Sequence, residues 1–166
     1  MPDPMTGRHT PVLSVLDRLL DDAPEQSIDP PASEARTLSS LSSAIRRDLE
    51  GLLNAPRPWI VPRPHQDALS RSLLTYGLRD VTARVLSNQD ERARIRDDVE
   101  STIRRFDPRL AEIRVTLLPD DAPLSTRIRL HIEGFILIDP EPEFVRYSTA
   151  IVPPGQRISV HTLRDA

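Results

Sequence analysis

Apolar residues recur at intervals of three and four over roughly the first two thirds of the chain, and at intervals of two over the rest. The first period belongs to helices with one buried face, the second to strands with one buried face. Val12, Leu13, Leu16, Leu19 and Leu20 draw a stripe along a short helix over 12–20, stopped by Asp21, Asp22 and Pro24. So short a helix is marginal alone and needs a surface to lie on. Residues 22–35 are acidic and proline-bearing, as in a linker. Leu38, Leu41, Ile45, Leu49 and Leu52 predict a helix over 34–54. Arg46, Arg47, Asp48 and Glu50 fall on its other sides, and Gly51 and Asn54 are its stop signals.

Prolines 56, 58, 62 and 64 make the next stretch extended, because each removes a donor and biases its predecessor away from helix. Trp59 within it is expected to pin this connector onto the core. Leu69, Leu73 and Tyr76 predict a second helix over 65–76, with Gly77 as a left-handed terminator and a loop or single turn over 78–86. Ser87-Asn88-Gln89-Asp90 reads as a capping box opening a third helix, with Ile95, Val99, Ile103 and Phe106 on its apolar stripe. Asp90 with Arg94, and Glu100 with Arg104, are spaced as i,i+4 ion pairs on exposed faces, and Pro108 ends the helix.

Ile113, Val115 and Leu117 then alternate with Glu112, Arg114 and Thr116. Ile128, Leu130 and Ile132 alternate in the same way up to Gly134, and Phe135–Ile138 are apolar throughout, which predicts cover on both faces there. Val145, Tyr147, Thr149 and Ile151 form a third strand, and Ile158 and Val160 a short fourth. With no helices between them, the strands should form an antiparallel meander. The class is therefore α+β: N-terminal helices followed by a small antiparallel sheet in a single domain over 34–163, preceded by a flexible segment, 1–33. An unclosed meander leaves edges to which another chain's strand can add.

Composition narrows the function. A net charge of −3 argues against a protein held on nucleic acid by a basic field. The absence of cysteine removes disulfide and thiolate chemistry and suits the cytoplasm. No run reaches about 18 apolar residues, so no membrane insertion is expected. All 22 basic residues are Arg, each a rigid, permanently charged fork suited to carboxylates at protein interfaces.

Catalytic signatures are lacking: no phosphate-cradling glycine loop, no zinc-protease motif and no nucleophile elbow. His9, His65, His131 and His161 are scattered, so neither a metal nor a cofactor is expected. His131 and Glu133 share a strand face as a conceivable base and orienting carboxylate, although a solvated face is the simpler reading. The distinctive constellation is Arg104-Arg105-Phe106-Asp107-Pro108-Arg109-Leu110, at the seam between the last helix and the first strand. Pro108 fixes the turn, Phe106 and Leu110 anchor it, and Asp107 and Arg109 project from a rigid corner. Such a corner is either a partner contact or a helix stop whose charges pair locally. The first reading expects Arg109→Ala to leave the thermal melt nearly intact.

Four stretches carry a resemblance: VLDRLLDDAPE at 15–25, AIRRDLEGLLN at 44–54, YGLRDV at 76–81 and IRRFDPRL at 103–110 followed by IRVTL. HIEGFILI and the Gly155 turn extend it. In this order they resemble the lysozyme-like baseplate proteins of contractile tails, related to the phage sheath initiator, and more closely the TssE subunits of type VI secretion baseplates. Two positions depart. The family's helix-ending Glu-Pro-Arg begins here with Asp107, and Ala55-Pro56-Arg57 follows Asn54 where the family usually has Asn-Thr-Arg.

The resemblance implies a non-catalytic structural role in the cytoplasm, within a baseplate docked at the inner membrane. The implied wedge partners are TssF and TssG, with TssK as a further candidate, and the implied sheath partners are TssB and TssC. Wedge contact falls on Asp107, Pro108 and Arg109, with Arg105 beside them. The strand edge offered to the sheath is expected near 143–151, at Val145 and Tyr147. A homologous subunit of a phage or phage-like tail is the neighbouring reading, and a peptidoglycan-active hydrolase the distant one.

Overall fold

The leucine and isoleucine stripe of the first long helix is the floor of the core. Helix α1, Glu34–Asn54, buries Leu41, Ile45, Leu49, Leu52 and Leu53. The computed structural model describes residues 25, 34–59, 62–63, 65–80, 88–119, 127–138, 141–152 and 158–163. The helix expected over 12–20, Ser87, most of the 118–127 loop and the Gly155 turn lie outside them.

After α1 come the single-turn α2, Asp67–Ser70, a 3-10 turn at Leu73–Thr75, and α3, Gln89–Phe106. The described start of α3 is capped by Asn88, whose side chain accepts the Asp90 N–H at 2.9 Å. Ile95, Val99 and Ile103 of α3 are fully buried. The strands are β1, Leu110–Leu117, β2, Ile128–Ile136, β3, Glu143–Ile151, and β4, Ser159–Thr162. They lie in the order β1-β2-β3-β4, every pair antiparallel. This is the expected helices-then-meander α+β domain.

One sheet face is buried against the helices, α3 along β1 and α1 along β4, and the other face is half-exposed. In β2 the alternation is strict from Ile128 to Ile136. In β1 a bulge sets two residues, Glu112 and Ile113, against Gly134 alone, with Glu112 at a φ of 50°. The extra residue shifts the side-chain phase, so Leu110 points inward along with Ile113 and Val115. Gly134 makes room for the bulge, since a Cβ there would stand 3.1 Å from the Ala111 carbonyl oxygen.

Several expectations are corrected. The helix over 65–76 is only one turn of α-helix and a 3-10 turn, leaving Leu69 at the surface and Leu73 82% exposed. Trp59 does not plug the core: it is 95% exposed. The connector is held instead by its backbone. Pro56 bridges Leu78, and Gly77, at φ 98°, lies so close to Ala55 that a Cβ would stand 2.3 Å from its carbonyl oxygen. The end of β2 is not covered on both faces either. Phe135 sits on the open face, edge-on to Phe144 at 5.4 Å, and Leu137 is exposed. In α3, Glu100 does pair with Arg104, at 2.8 Å, whereas Arg94 pairs with Glu91.

Candidate functional site

The α3–β1 seam is built by a chain that must stop one element and start another within three residues. The Asp107 N–H still donates to the Ile103 carbonyl at 2.9 Å, as the last bond of the helix. Pro108 then cannot extend it. The Asp107 carboxylate turns back on the next element. It accepts the Arg109 N–H at 3.2 Å, Arg109 Nε at 2.9 Å and Arg109 Nη2 at 2.8 Å. The same Nη2 reaches Asp48 Oδ2 of α1 at 2.9 Å. Arg109 thus lies between two carboxylates and ties α1 to the seam, a charge-assisted bidentate arrangement. The hydrogen bond to Asp107 is the main reason the Arg109 pKa is raised above its ordinary value, against the opposing effect of burial.

Asp107 and Arg109 therefore face each other, with the Asp107 side chain 6% exposed and that of Arg109 26%. The outward parts of the corner are Pro108 and Arg105, the latter donating to the Ser70 carbonyl at 3.2 Å. Beside the pair opens a depression of about 400 Å³, walled by Arg47, Asp48, Gly51, Leu52, Tyr76 and Phe106. Tyr76 and Phe106 meet edge to face at 5.2 Å. The Tyr76 phenol is pushed up by burial and then by the nearby Asp48 and Asp107 charges. Gly51 is informative here: a Cβ on it would meet nothing within 4 Å, so packing does not require a glycine. A helical glycine costs roughly 0.5–1 kcal/mol relative to alanine. What it secures here is an open wall.

The second place where the molecule can meet another chain is its sheet margins, and both are occupied by helix side chains. At β4, Asn54 Nδ2 donates to the Ile158 carbonyl at 2.7 Å and Asn54 Oδ1 accepts the Ile158 N–H at 2.8 Å. Glu50 accepts the Val160 N–H at 3.3 Å, and Arg46 donates to the Val160 carbonyl at 3.2 Å. At β1, Glu100 accepts the Val115 N–H at 3.1 Å and Arg104 donates to the Ile113 carbonyl at 3.0 Å. The geometry is commensurate. Four helical residues advance about 6.0 Å and two strand residues about 6.6 Å, so an i,i+4 row of side chains matches alternate outward peptides.

Part of the strand edge expected near 143–151 is paired within the sheet. Val145 and Tyr147 are buried in the core, and the Tyr147 hydroxyl donates to the Ser42 carbonyl at 3.4 Å. The main chain of β3 from Tyr147 to Ala150 is paired with β4, and the Leu163 N–H continues that ladder to the Arg146 carbonyl. β3 is interior there because the fourth strand, short as it is, covers it. On the open face Glu133 is held by Arg146 Nε at 2.8 Å and so is not placed to orient His131. Among the described residues no three His, Asp or Glu side chains cluster to hold a metal. No described helix is long and apolar enough to cross a membrane.

Sequence reasoning placed Asp107, Pro108, Arg109 and Arg105 at one corner, and the structure keeps them together. It missed Asp48, Arg46 and Glu50, which periodicity assigns to the solvent side of α1, and the second role of Asn54, which it read as a stop signal. The even spacing of 46, 50 and 54 is the signal that was available. A family profile described as baseplate wedge protein gp25 matches residues 39–141. Neither a curated protein nor a solved structure matches the chain.

Proposed function

The chain belongs to the gp25 baseplate wedge family, structural components of phage and type VI secretion baseplates, and on that footing we propose that it is the TssE-like joint of a type VI baseplate. In this role it fastens to wedge proteins of the TssF and TssG kind through the α3–β1 corner. Through a sheet edge it starts the TssB–TssC sheath. The observation that carries the wedge contact is the depression beside the Asp107–Arg109 pair, held open by a helical glycine that its own packing does not need. Arg105 and Pro108 present a cation and a rigid apolar ring on the outer side of that corner. A recess in which Arg47 and Arg109 are balanced by Asp48 and Asp107 around Leu52, Tyr76 and Phe106 suits a protein segment that brings an apolar side chain flanked by polar groups.

The discriminating variant is Gly51→Leu. Leucine is the better helix former and its Cβ meets nothing within 4 Å in the free chain, so the melt should hold or rise. The side chain fills the recess, and co-purification with the wedge proteins from native lysate should be lost. Undiminished co-purification would remove the recess from the interface. The same geometry serves a phage-tail homologue, in which case the proteins retained would be phage wedge subunits.

A further inference from the structure

We propose that the cluster of Arg57, Arg79 and Arg105, with the exposed Trp59 and Leu73 on the same connector, is a docking surface for this chain's own acidic amphipathic segment, residues 12–25.

Three guanidinium groups converge where the connector meets the end of α3. Pro56 bridges Leu78, so the residues that follow them, Arg57 and Arg79, are neighbours. Arg105 of α3 is tied to the connector through the Ser70 carbonyl at 3.2 Å. Burial lowers the Arg57 pKa, and the Arg79 and Arg105 charges lower it further, with Asp98 opposing. None of the three makes an ion pair with a described residue, whereas Arg46, Arg94, Arg104 and Arg109 do. The place is rigid, because Pro56 and Pro58 restrict the chain on either side of Arg57 and Gly77 packs against Ala55. Like charges fixed together without a counter-charge are a standing cost that carboxylates would remove. Among the described residues, the two most exposed large apolar side chains, Trp59 and Leu73, lie on this same connector. Covering a tryptophan removes roughly 150–250 Å² from water, so an uncovered one beside a cationic cluster marks an unfilled contact.

Charge, apolar pattern and reach point to the occupant. Residues 12–25 lie outside the described residues, and they carry Asp17, Asp21, Asp22 and Glu25 against Arg18 alone. On the short helix that their spacing predicts, Asp17 and Asp22 border the two sides of the Leu13, Leu16, Leu19 and Leu20 stripe. Such a helix brings carboxylates to the guanidinium groups and an apolar stripe to Trp59 and Leu73. Helix α1 carries the chain from Glu34 to Asn54, about 30 Å, and the cluster begins three residues later. From Glu34 back to Asp22 the chain can span up to about 40 Å, so the segment can return along α1 to the cluster. A second copy or another acidic protein would have to supply the same groups from solution, whereas a tethered segment is held at high effective concentration. On the reading proposed above, Arg105 also serves the wedge contact, so a docked segment would cover one of its cations until the wedge arrives. The test below needs no wedge protein and is decided apart from that reading.

Trp59 is the sole tryptophan of the chain, so its fluorescence reports this surface without a label. Emission and acrylamide quenching are measured on the full-length protein in four forms: unaltered, Leu16→Glu/Leu19→Glu, Asp17→Asn/Asp21→Asn/Asp22→Asn, and Arg57→Gln/Arg79→Gln. The unaltered chain should show blue-shifted emission and weak quenching at low salt. The leucine variant should shift to the red and be quenched several-fold more strongly, with an unchanged melt, because neither leucine belongs to the described core. The aspartate and arginine variants should be released in the same direction. In the unaltered chain, 1 M salt should do likewise, since the screening length falls to about 3 Å. Emission of a fully exposed tryptophan in the unaltered chain would overturn the proposal, and so would shielding that survives Leu16→Glu/Leu19→Glu. Shielding that is lost on hundredfold dilution would assign the surface to a second copy instead. Shielding that appears only when an acidic partner protein is added would assign it to that partner. Either result refutes docking by the chain's own segment.

Discussion

Asn54 grips Ile158 by both polar groups of its backbone, one carboxamide serving a carbonyl and an N–H of the same residue across 104 positions of sequence. The side chain thereby occupies the place of a fifth strand. Four residues earlier Glu50, and eight earlier Arg46, repeat the contact at Val160. Helix α1 is thus the lateral boundary of the sheet as well as its floor. The four-residue strand β4, with Val160 buried, and the buried Ile158 just before it are fixed by this row.

Asn54→Ala should therefore cost more than the loss of a helix-end residue. It leaves two part-buried backbone groups without their partner, for about 2–3 kcal/mol in total. Exchange at the Ile158 and Val160 amides should accelerate more than at β2. Asn54→Asp, which keeps the acceptor and loses the donor, should fall between the two. Equal exchange in all three forms would show that β4 is held by its apolar contacts alone.

The inward turn of Asp107 and Arg109 reverses the expectation that Arg109→Ala spares the melt. Removing the guanidinium strands a buried carboxylate. Because Arg109 and Asp48 are a quarter to a third exposed, the loss should be about 2–3 kcal/mol, below the range for a fully buried pair. Asp107→Ala leaves Arg109 its second partner, Asp48, and should cost less. The double variant should be clearly more stable than the sum of the two losses, with a coupling of about 1–2 kcal/mol by urea denaturation. Simple additivity would mean that the pair contributes nothing as a unit.

Thr149 supplies a change of opposite sign. It lies 2% exposed on the inner face of β3, and its Oγ1 has no hydrogen-bond partner among the described residues. Thr149→Val keeps the shape and removes an unpaired hydroxyl, so the protein should gain about 1 kcal/mol. A lower melting temperature in this variant would show that the hydroxyl is satisfied.

Tyr147 gives the fold an alkaline limit. Burial first, and the Asp107 charge in addition, push its phenol above the ordinary value near 10. Above that value the unfolded chain loses the proton while the folded chain holds it. The native state then binds more protons, and stability falls as pH rises towards the raised folded pKa. Below the ordinary value both states are protonated and the effect is absent. Tyr147→Phe should flatten this slope in unfolding measured between about pH 9 and 11. An unchanged slope would assign it elsewhere, with the raised Tyr76 phenol next in line.

The sequence by itself determined the order of elements and the buried faces. Leu41, Ile45, Leu49 and Leu52 on α1, and Ile128, Leu130 and Ile132 on β2, are buried because a fixed backbone period carries every third-to-fourth or every second side chain to one side. Pro108 likewise placed the seam, since no helix bond can run through it. Tertiary structure decided which polar residues matter. Asp48, Asn54 and Glu100 look like solvated positions until a strand or a guanidinium arrives from 15 to 104 residues away. Periodicity reports which side of an element faces inward, but it carries no term for what a neighbour's unpaired backbone will demand. The same gap misplaced Trp59. Whether a tryptophan finds a cavity, and whether a strand is interior or marginal, are properties of the packed layers and of the strand that comes last.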